Sequence, residues 1–330
     1  MFPRQHAPDE EGPGLERPPA GLLTLLGLVA LEAWLRHTIP TMREGKLYAY
    51  TDQSLRYKIT LPHARIRSYG TEIRTNALGF RGPEVAPRQP GEYRVVVLGD
   101  SMTFGPGMAD GRLYTAQLEQ RVPGARIINL AVEGYNVLHY QAVLEEVGLA
   151  LQPDLIVVAL FPVNDFEMDN YDNHVRIASG AALAGEPWYY SLYVYRAYLQ
   201  RVEHAARRVM HRLAPAAAAS ERDVGWERNI GALKNIVELA GKQRIPVLVS
   251  LLPHTKGFET QRAMFARVER WCSAEGVRCL DLLAIFRARR VIDGELVLNR
   301  IDAHGNAEYH RLIAELLAPH VAGLMSAPSP

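Results

Sequence analysis

The stretch that decides the fold is Arg94-Val-Val-Val-Leu98, followed at once by Gly99-Asp100-Ser101-Met-Thr-Phe-Gly105. A short β-branched run without polar alternation reads as a strand covered on both faces, which is the habit of parallel sheets. Directly after it, a serine hydroxyl sits where a strand turns toward a helix. Gly99 and Gly105 permit the tight backbone path, and N–H groups at the helix start can face whatever reacts with the serine. The plain alternative is an Asp or Ser that caps the next helix.

Outward from this stretch, strand patterns recur at Arg126 to Asn129, Leu155 to Leu160, Val247 to Leu251 and Arg278 to Asp281. Helix-period segments lie between or after them at Leu113 to Arg121, Val137 to Leu149, Asn229 to Gln243, Gln261 to Ala274 and Ala307 to Leu317. This alternation predicts an α/β domain of three layers, a doubly wound parallel sheet with helices on both faces. Such sheets carry their chemistry in loops beyond the carboxyl ends of the strands.

Three further segments place polar groups near that edge. Gly134, in Asn129-Leu-Ala-Val-Glu-Gly134-Tyr-Asn136, offers a backbone N–H after the second strand, although Asn136 also suits a simple helix cap. Asn164, in Phe161-Pro-Val-Asn164-Asp165, offers a side-chain amide that can donate to a developing oxyanion. Ile301-Asp302-Ala303-His304-Gly-Asn306 supplies an imidazole and a carboxylate just before the last helix.

Taken in order, Gly99-Asp100-Ser101, Gly134, Asn164-Asp165 and His304 resemble the four blocks of the SGNH, or GDSL-type, hydrolase family, over about Arg94 to Leu317. The upstream Asn76-Ala-Leu-Gly-Phe-Arg-Gly82 and the apolar amino-terminal segment look like a bacterial branch with a single membrane segment ahead of the hydrolase domain. The resemblance implies a flavodoxin-like fold with Ser101 as nucleophile. It makes the N–H groups of Ser101 and Gly134 and the Asn164 amide the oxyanion hole, His304 the general base, and Asp302 its acid partner. In the family pattern the aspartate stands three residues before the histidine, whereas Asp302 stands two before it; Asp281 and Asp293 are the fallback partners. The implied activity is ester hydrolysis or acetyl transfer on acylated carbohydrate through an acyl-enzyme, without cofactor. A lipid or small-ester esterase and a noncatalytic scaffold subunit of an envelope polysaccharide machine are the alternatives.

Composition sets the remaining bounds. The 330 residues are 48% apolar and 22% charged, enough for a large packed core, and 37 Lys and Arg against 36 Asp and Glu leave a net charge of +1. No global positive field is available to hold nucleic acid, so none is expected as a partner. Residues 1 to 20, rich in Pro, Gly and charge, read as a disordered tail. Residues 21 to 38 read as a membrane anchor, built on the apolar run Gly21 to Leu31 and on Trp34 and Arg36, with the catalytic domain extracytoplasmic (periplasmic). An extension spans 39 to 92, and the hydrolase domain 93 to 325 carries an inserted lid or subdomain at about 166 to 223. In that insertion, Trp188, Tyr189, Tyr190, Tyr193, Tyr195 and Tyr198 suit either helix packing or a sugar ring. Arg207, Arg208, His211 and Arg212 suit a solvated helix face or an anionic surface. The acidic run Asp165, Glu167, Asp169, Asp172 with His174 lacks a calcium-loop pattern, and no metal is expected. Cys272 and Cys279 are either bridged or two free thiols, and His254 lies at the active edge after the fourth strand.

Overall fold

The computed structural model describes residues 19–38, 48–49, 59–166, 194, 209, 215–300 and 302–326. Five strands, β5 (Tyr93–Gly99), β6 (Ala125–Asn129), β7 (Leu155–Leu160), β8 (Val247–Leu251) and β9 (Arg278–Asp281), form one sheet in the order β6-β5-β7-β8-β9. Every pair in it is parallel, with Val97 opposite Asn129 and Gly99 opposite Ala159. Val95, Val96, Val97 and Leu98 have no exposed surface, because helices cover both faces. Each such burial contributes about 2 kcal/mol. The chain runs from β5 to its neighbour β6 and then crosses to β7 on the other side. This is the reversal of winding that leaves a crevice at the carboxyl edge between β5 and β7.

The helices are α1 (Ala20–Thr38), α2 (Ser101–Phe104), α3 (Tyr114–Arg121), α4 (Val137–Val143), α5 (Pro215–Lys242), α6 (Phe258–Ala274), α7 (Leu282–Ala288) and α8 (Ala307–Met325). Packing pairs α3 with α8 and α4 with α5. Two small antiparallel ladders precede the sheet: β1 (Tyr48–Ala49) with β2 (Ile59–Thr60), and the hairpin of β3 (Arg65–Ser68) with β4 (Thr71–Arg74). Ile66 and Ile73 alternate with exposed Arg65, Arg67, Glu72 and Arg74, so the hairpin has one apolar face. That face joins Phe104 of α2 and Ala131 in a buried cluster.

The membrane anchor expected at 21–38 is corrected. Among the described residues no helix is long and apolar enough to cross a membrane. Helix α1 has 19 residues, but Glu32 and Arg36 interrupt it. Its unbroken apolar run, Gly21 to Leu31, rises only about 16 Å where a bilayer core needs ~30 Å. Glu32 is moreover engaged with the chain itself, accepting the Val194 N–H at 2.9 Å, and Leu35 is buried. The membrane partner and the extracytoplasmic location, both built on this segment, fall with it. The described residues divide into two compact units, α1 with Val194 in one and everything from β1 to α8 in the other.

The expected tail and most of the expected insertion, with its tyrosines, Trp188, arginines and His174, lie outside the described residues. Helix α5 begins at Pro215, well before the Asn229 predicted from periodicity. Cys272 and Cys279 are both free.

Candidate active site

Ser101 opens α2 at the end of β5, and the local chemistry explains the sharp turn. Asp100 caps the helix, its carboxylate accepting the Met102 N–H at 2.8 Å, and Gly105 closes it in the left-handed region with its N–H on the Ser101 carbonyl. A Cβ at Gly99 would stand 2.5 Å from Thr103 Oγ1, so only glycine lets the strand pass this close to the helix. Asp100 is fully buried, whereas Ser101 is half-buried. Burial pushes the Asp100 carboxyl up to about 6, against the opposing pull of the Met102 N–H, the His304 charge and the Asn164 amide.

The Asn164 turn follows β7, beside β5. Asp165 builds it: its carboxylate accepts the Phe161 N–H at 2.6 Å and the Tyr140 hydroxyl at 2.9 Å. Burial first, and then the Asp100 charge, drive Asp165 well above the usual carboxylate range. The Asn164 side chain lies beside Asp100, where its amide helps to hold that carboxyl down, and its Oδ1 is buried without a hydrogen-bond partner. Gly134 follows β6 at φ 78, a conformation suited to glycine. The Val132 N–H donates to the Gly99 carbonyl at 3.3 Å and ties this loop to the serine turn. Asn136 caps α4 as the plain reading of the sequence expects.

The fourth group comes from the loop before α8. Asp302 Oδ1 accepts both the His304 backbone N–H at 2.8 Å and His304 Nδ1–H at 2.5 Å. This is an Asx-turn, and it closes the spacing of two that an extended segment would leave open. Thr255 donates to the Ala303 carbonyl at the middle of the turn, and Asn299 accepts the Asp302 N–H at 2.9 Å. With Nδ1 donating, Nε2 is the basic nitrogen of the neutral ring. Burial opposes the imidazolium, but the Asp302 hydrogen bond and charge, followed by Glu133 and Asp100, raise the His304 pKa above its ordinary value. Asp302 is held down at about 2: burial works upward, and His304, Tyr69 and the His304 N–H outweigh it. The fallback partners are occupied elsewhere. Asp281 caps α7 through the Ala284 N–H, and Asp293 accepts the N–H groups of Gly257 and Phe258 at the start of α6.

Sequence reasoning missed three contributors. The Tyr69 hydroxyl, at the β3–β4 turn, donates to Asp302 Oδ2. Arg81 is fully buried and holds the loop after α2, donating to the carbonyls of Phe104 at 2.7 Å, Gly105 and Met108 and to Asp110 at 3.0 Å. His310 lies against Gly105, accepts the Tyr114 N–H on Nδ1, and is kept neutral by burial and the Arg81 charge, its pKa pushed down to about 3. The one available signal was Arg81 itself, a cation inside the otherwise apolar Ala77-Leu-Gly-Phe80 context. His254 stacks on Phe161 with ring centres 5.7 Å apart, and burial lowers its pKa. Among the described residues no group of three His, Cys, Asp or Glu side chains is placed to hold a metal ion.

The model of the GDSL-like lipase/acylhydrolase family matches residues 97–312. Solved structures similar to the chain include an acetylxylan esterase of Geobacillus stearothermophilus, at 17% identity and TM-score 0.45, covering 69% of this chain and 94% of that one. A GDSL-like lipase of Bacteroides thetaiotaomicron aligns at 14% identity and TM-score 0.42, over 72% of this chain and 92% of its own. A member of the lipolytic G-D-S-L family from Veillonella parvula aligns at 15% and 0.40, over 69% and 97%. No curated protein matches.

Proposed function

Because the chain belongs to the GDSL-like lipase/acylhydrolase family, and so is an enzyme of the serine hydrolase and acyltransferase type, we infer that Ser101 is its nucleophile, His304 its general base and Asp302 the acid that orients the base. The observation that carries this reading is the Asp302–His304 pair, whose 2.5 Å contact fixes the tautomer a serine base requires. Ser101 Oγ attacks the acyl carbonyl while His304 Nε2 takes its proton. The oxyanion that forms is met by the N–H groups of Ser101 and Gly134 and by the side-chain amide of Asn164. Collapse breaks the ester bond, and His304 returns the proton to the leaving alcohol. Water then hydrolyses the acyl-enzyme, or an acceptor hydroxyl takes the acyl group, with the same base deprotonating either one. The substrate class we retain is acylated carbohydrate, which the family resemblance supports.

A fluorophosphonate probe tests the nucleophile. Wild-type protein is expected to be labelled on Ser101, and Ser101→Ala to lose both labelling and turnover of a generic acyl ester while keeping its circular dichroism. A folded Ser101→Ala variant with wild-type esterase rates would overturn the assignment. Release of acetate from acetylated oligosaccharide, compared with simple aryl acetates, tests the substrate class.

A further inference from the structure

Asp302 is nine-tenths buried, and its two carboxylate oxygens are engaged differently: Oδ1 takes both His304 donors, while Oδ2 takes the Tyr69 hydroxyl. Tyr69 lies outside the segment that matches the family, which begins at residue 97. It is delivered by a hairpin whose geometry is suited to the task. Ser68 pairs with Thr71, so Tyr69 and Gly70 form a two-residue turn with φ of 49 and 77, the mirror-image type that matches strand twist. Thr71 Oγ1 donates to the Gly107 carbonyl at 2.9 Å, and the Tyr69 ring packs on Gly107, where a Cβ would come within 3.1 Å of Cδ2. The same hairpin therefore rests on the loop after the nucleophile helix and reaches the acid of the proposed triad.

We propose that Tyr69 is a positioning residue for catalysis, its hydroxyl fixing the rotamer of Asp302 and sharing the carboxylate charge with His304. The proposal rests on the reading of Ser101, His304 and Asp302 given above. A hydrogen bond to an ionised group is stronger than one between neutral groups, and a buried carboxylate oxygen left without a donor is costly. With the phenol removed, the negative charge concentrates on the oxygen facing His304, and the imidazolium gains stability. The other ionisable groups that act on His304 are Asp100, Glu133, His254 and His310, and a Tyr69 substitution alters none of them.

The test compares full-length wild type, Tyr69→Phe and Thr71→Val. Tyr69→Phe is expected to lower kcat about tenfold with little change in KM, and to move the acid limb of kcat/KM to higher pH. Thr71→Val, which loosens the hairpin without removing the phenol, is expected to lower Tm and leave the limb in place. A second readout is the low-field proton resonance of His304 Nδ1–H, identified by its loss in His304→Ala, which Tyr69→Phe is expected to displace. The proposal is overturned if the limb and the resonance of Tyr69→Phe coincide with wild type, or if Thr71→Val moves the limb equally far. If no ester is turned over by wild type, the catalytic reading has failed, and the resonance alone still decides whether Tyr69 governs the pair. Should Tyr69→Phe not fold, fluorotyrosine at that position, a stronger donor of nearly the same shape, is expected to move the limb to lower pH. An unmoved limb there also overturns the assignment.

Discussion

Asp302 holds His304 by a turn of three residues, and that turn gives the proposed base its pH behaviour. A neutral imidazole is needed to accept the Ser101 proton, so kcat/KM is expected to fall as pH drops through the His304 pKa, which lies above its ordinary 6.5. Asp302→Asn removes the charge that offsets burial, so the acid limb of the rate profile is expected to move to lower pH. The amide can also donate where the carboxylate accepts, which releases the tautomer, and kcat is expected to fall ~1,000-fold or more. A variant retaining most activity would show that His304 works without Asp302. Stability follows the same pair with opposite signs. The Asp302 contribution is complete above pH 3.8 and is lost as pH falls toward about 2, whereas that of His304 is complete below 6.5 and is lost as pH rises through its raised value. The pair therefore stabilises the fold most between those limits. The placement of Ser101, Gly134 and Asn164 after strands and of His304 before a helix cap was legible in the sequence, because strand ends and caps carry local signals. For the partner of His304 the sequence favours Asp302 with Asp281 and Asp293 as fallbacks, and the Asx-turn that brings Asp302 to the imidazole is a feature of three-dimensional folding at Ala303.

At the scale of elements, strands were read to within a residue or two because the sheet is buried on both faces, and runs such as Leu155-Ile-Val-Val-Ala-Leu160 leave no competing pattern. Helices departed where tertiary packing overrode local signals. The segment from Val137 reads as one helix to Leu149, but after Val143 the backbone widens into a π-turn at Leu144–Gly148. Helix α8 runs past Pro319 to Met325, since Val321 and Leu324 are buried and hold the last turns against the domain. The β3–β4 hairpin escaped notice because four-residue strands, with Arg at alternate positions and Tyr-Gly at the turn, give little signal. Arg81 belongs to this scale, for one guanidinium joins the carbonyls at the end of α2 to Asp110. Arg81→Met keeps much of the volume but strands those buried acceptors, so it is expected to cost ~3 kcal/mol in urea unfolding. Loss of under about 0.5 kcal/mol would show that water replaces the guanidinium without penalty.

For the whole molecule, the segment that matches the family and the segment that completes the site are different lengths of chain. Residues 97–312 hold all four sequence blocks and most of the parallel sheet. Yet Ile66, Ile73, Phe80 and Arg81, all buried, come from upstream: Ile66 and Ile73 cover Phe104 of α2, the helix of the proposed nucleophile, Phe80 joins the main core, and Arg81 holds the carbonyls at the end of α2. Deleting residues 59–82 from the otherwise intact chain would uncover three large apolar side chains' worth of contact, about 6 kcal/mol at ~2 kcal/mol each. It would also leave the Arg81 acceptors without their donor. That loss is comparable to the whole stability of a typical domain, ~5–15 kcal/mol. The shortened chain is therefore expected to melt at markedly lower temperature, and to react with the fluorophosphonate probe far more slowly than wild type even where it remains folded, because the α2 loop would no longer be held. Wild-type Tm together with wild-type labelling of Ser101 would show instead that the matched segment alone preorganises its nucleophile, and that the upstream hairpin serves some purpose other than building the site.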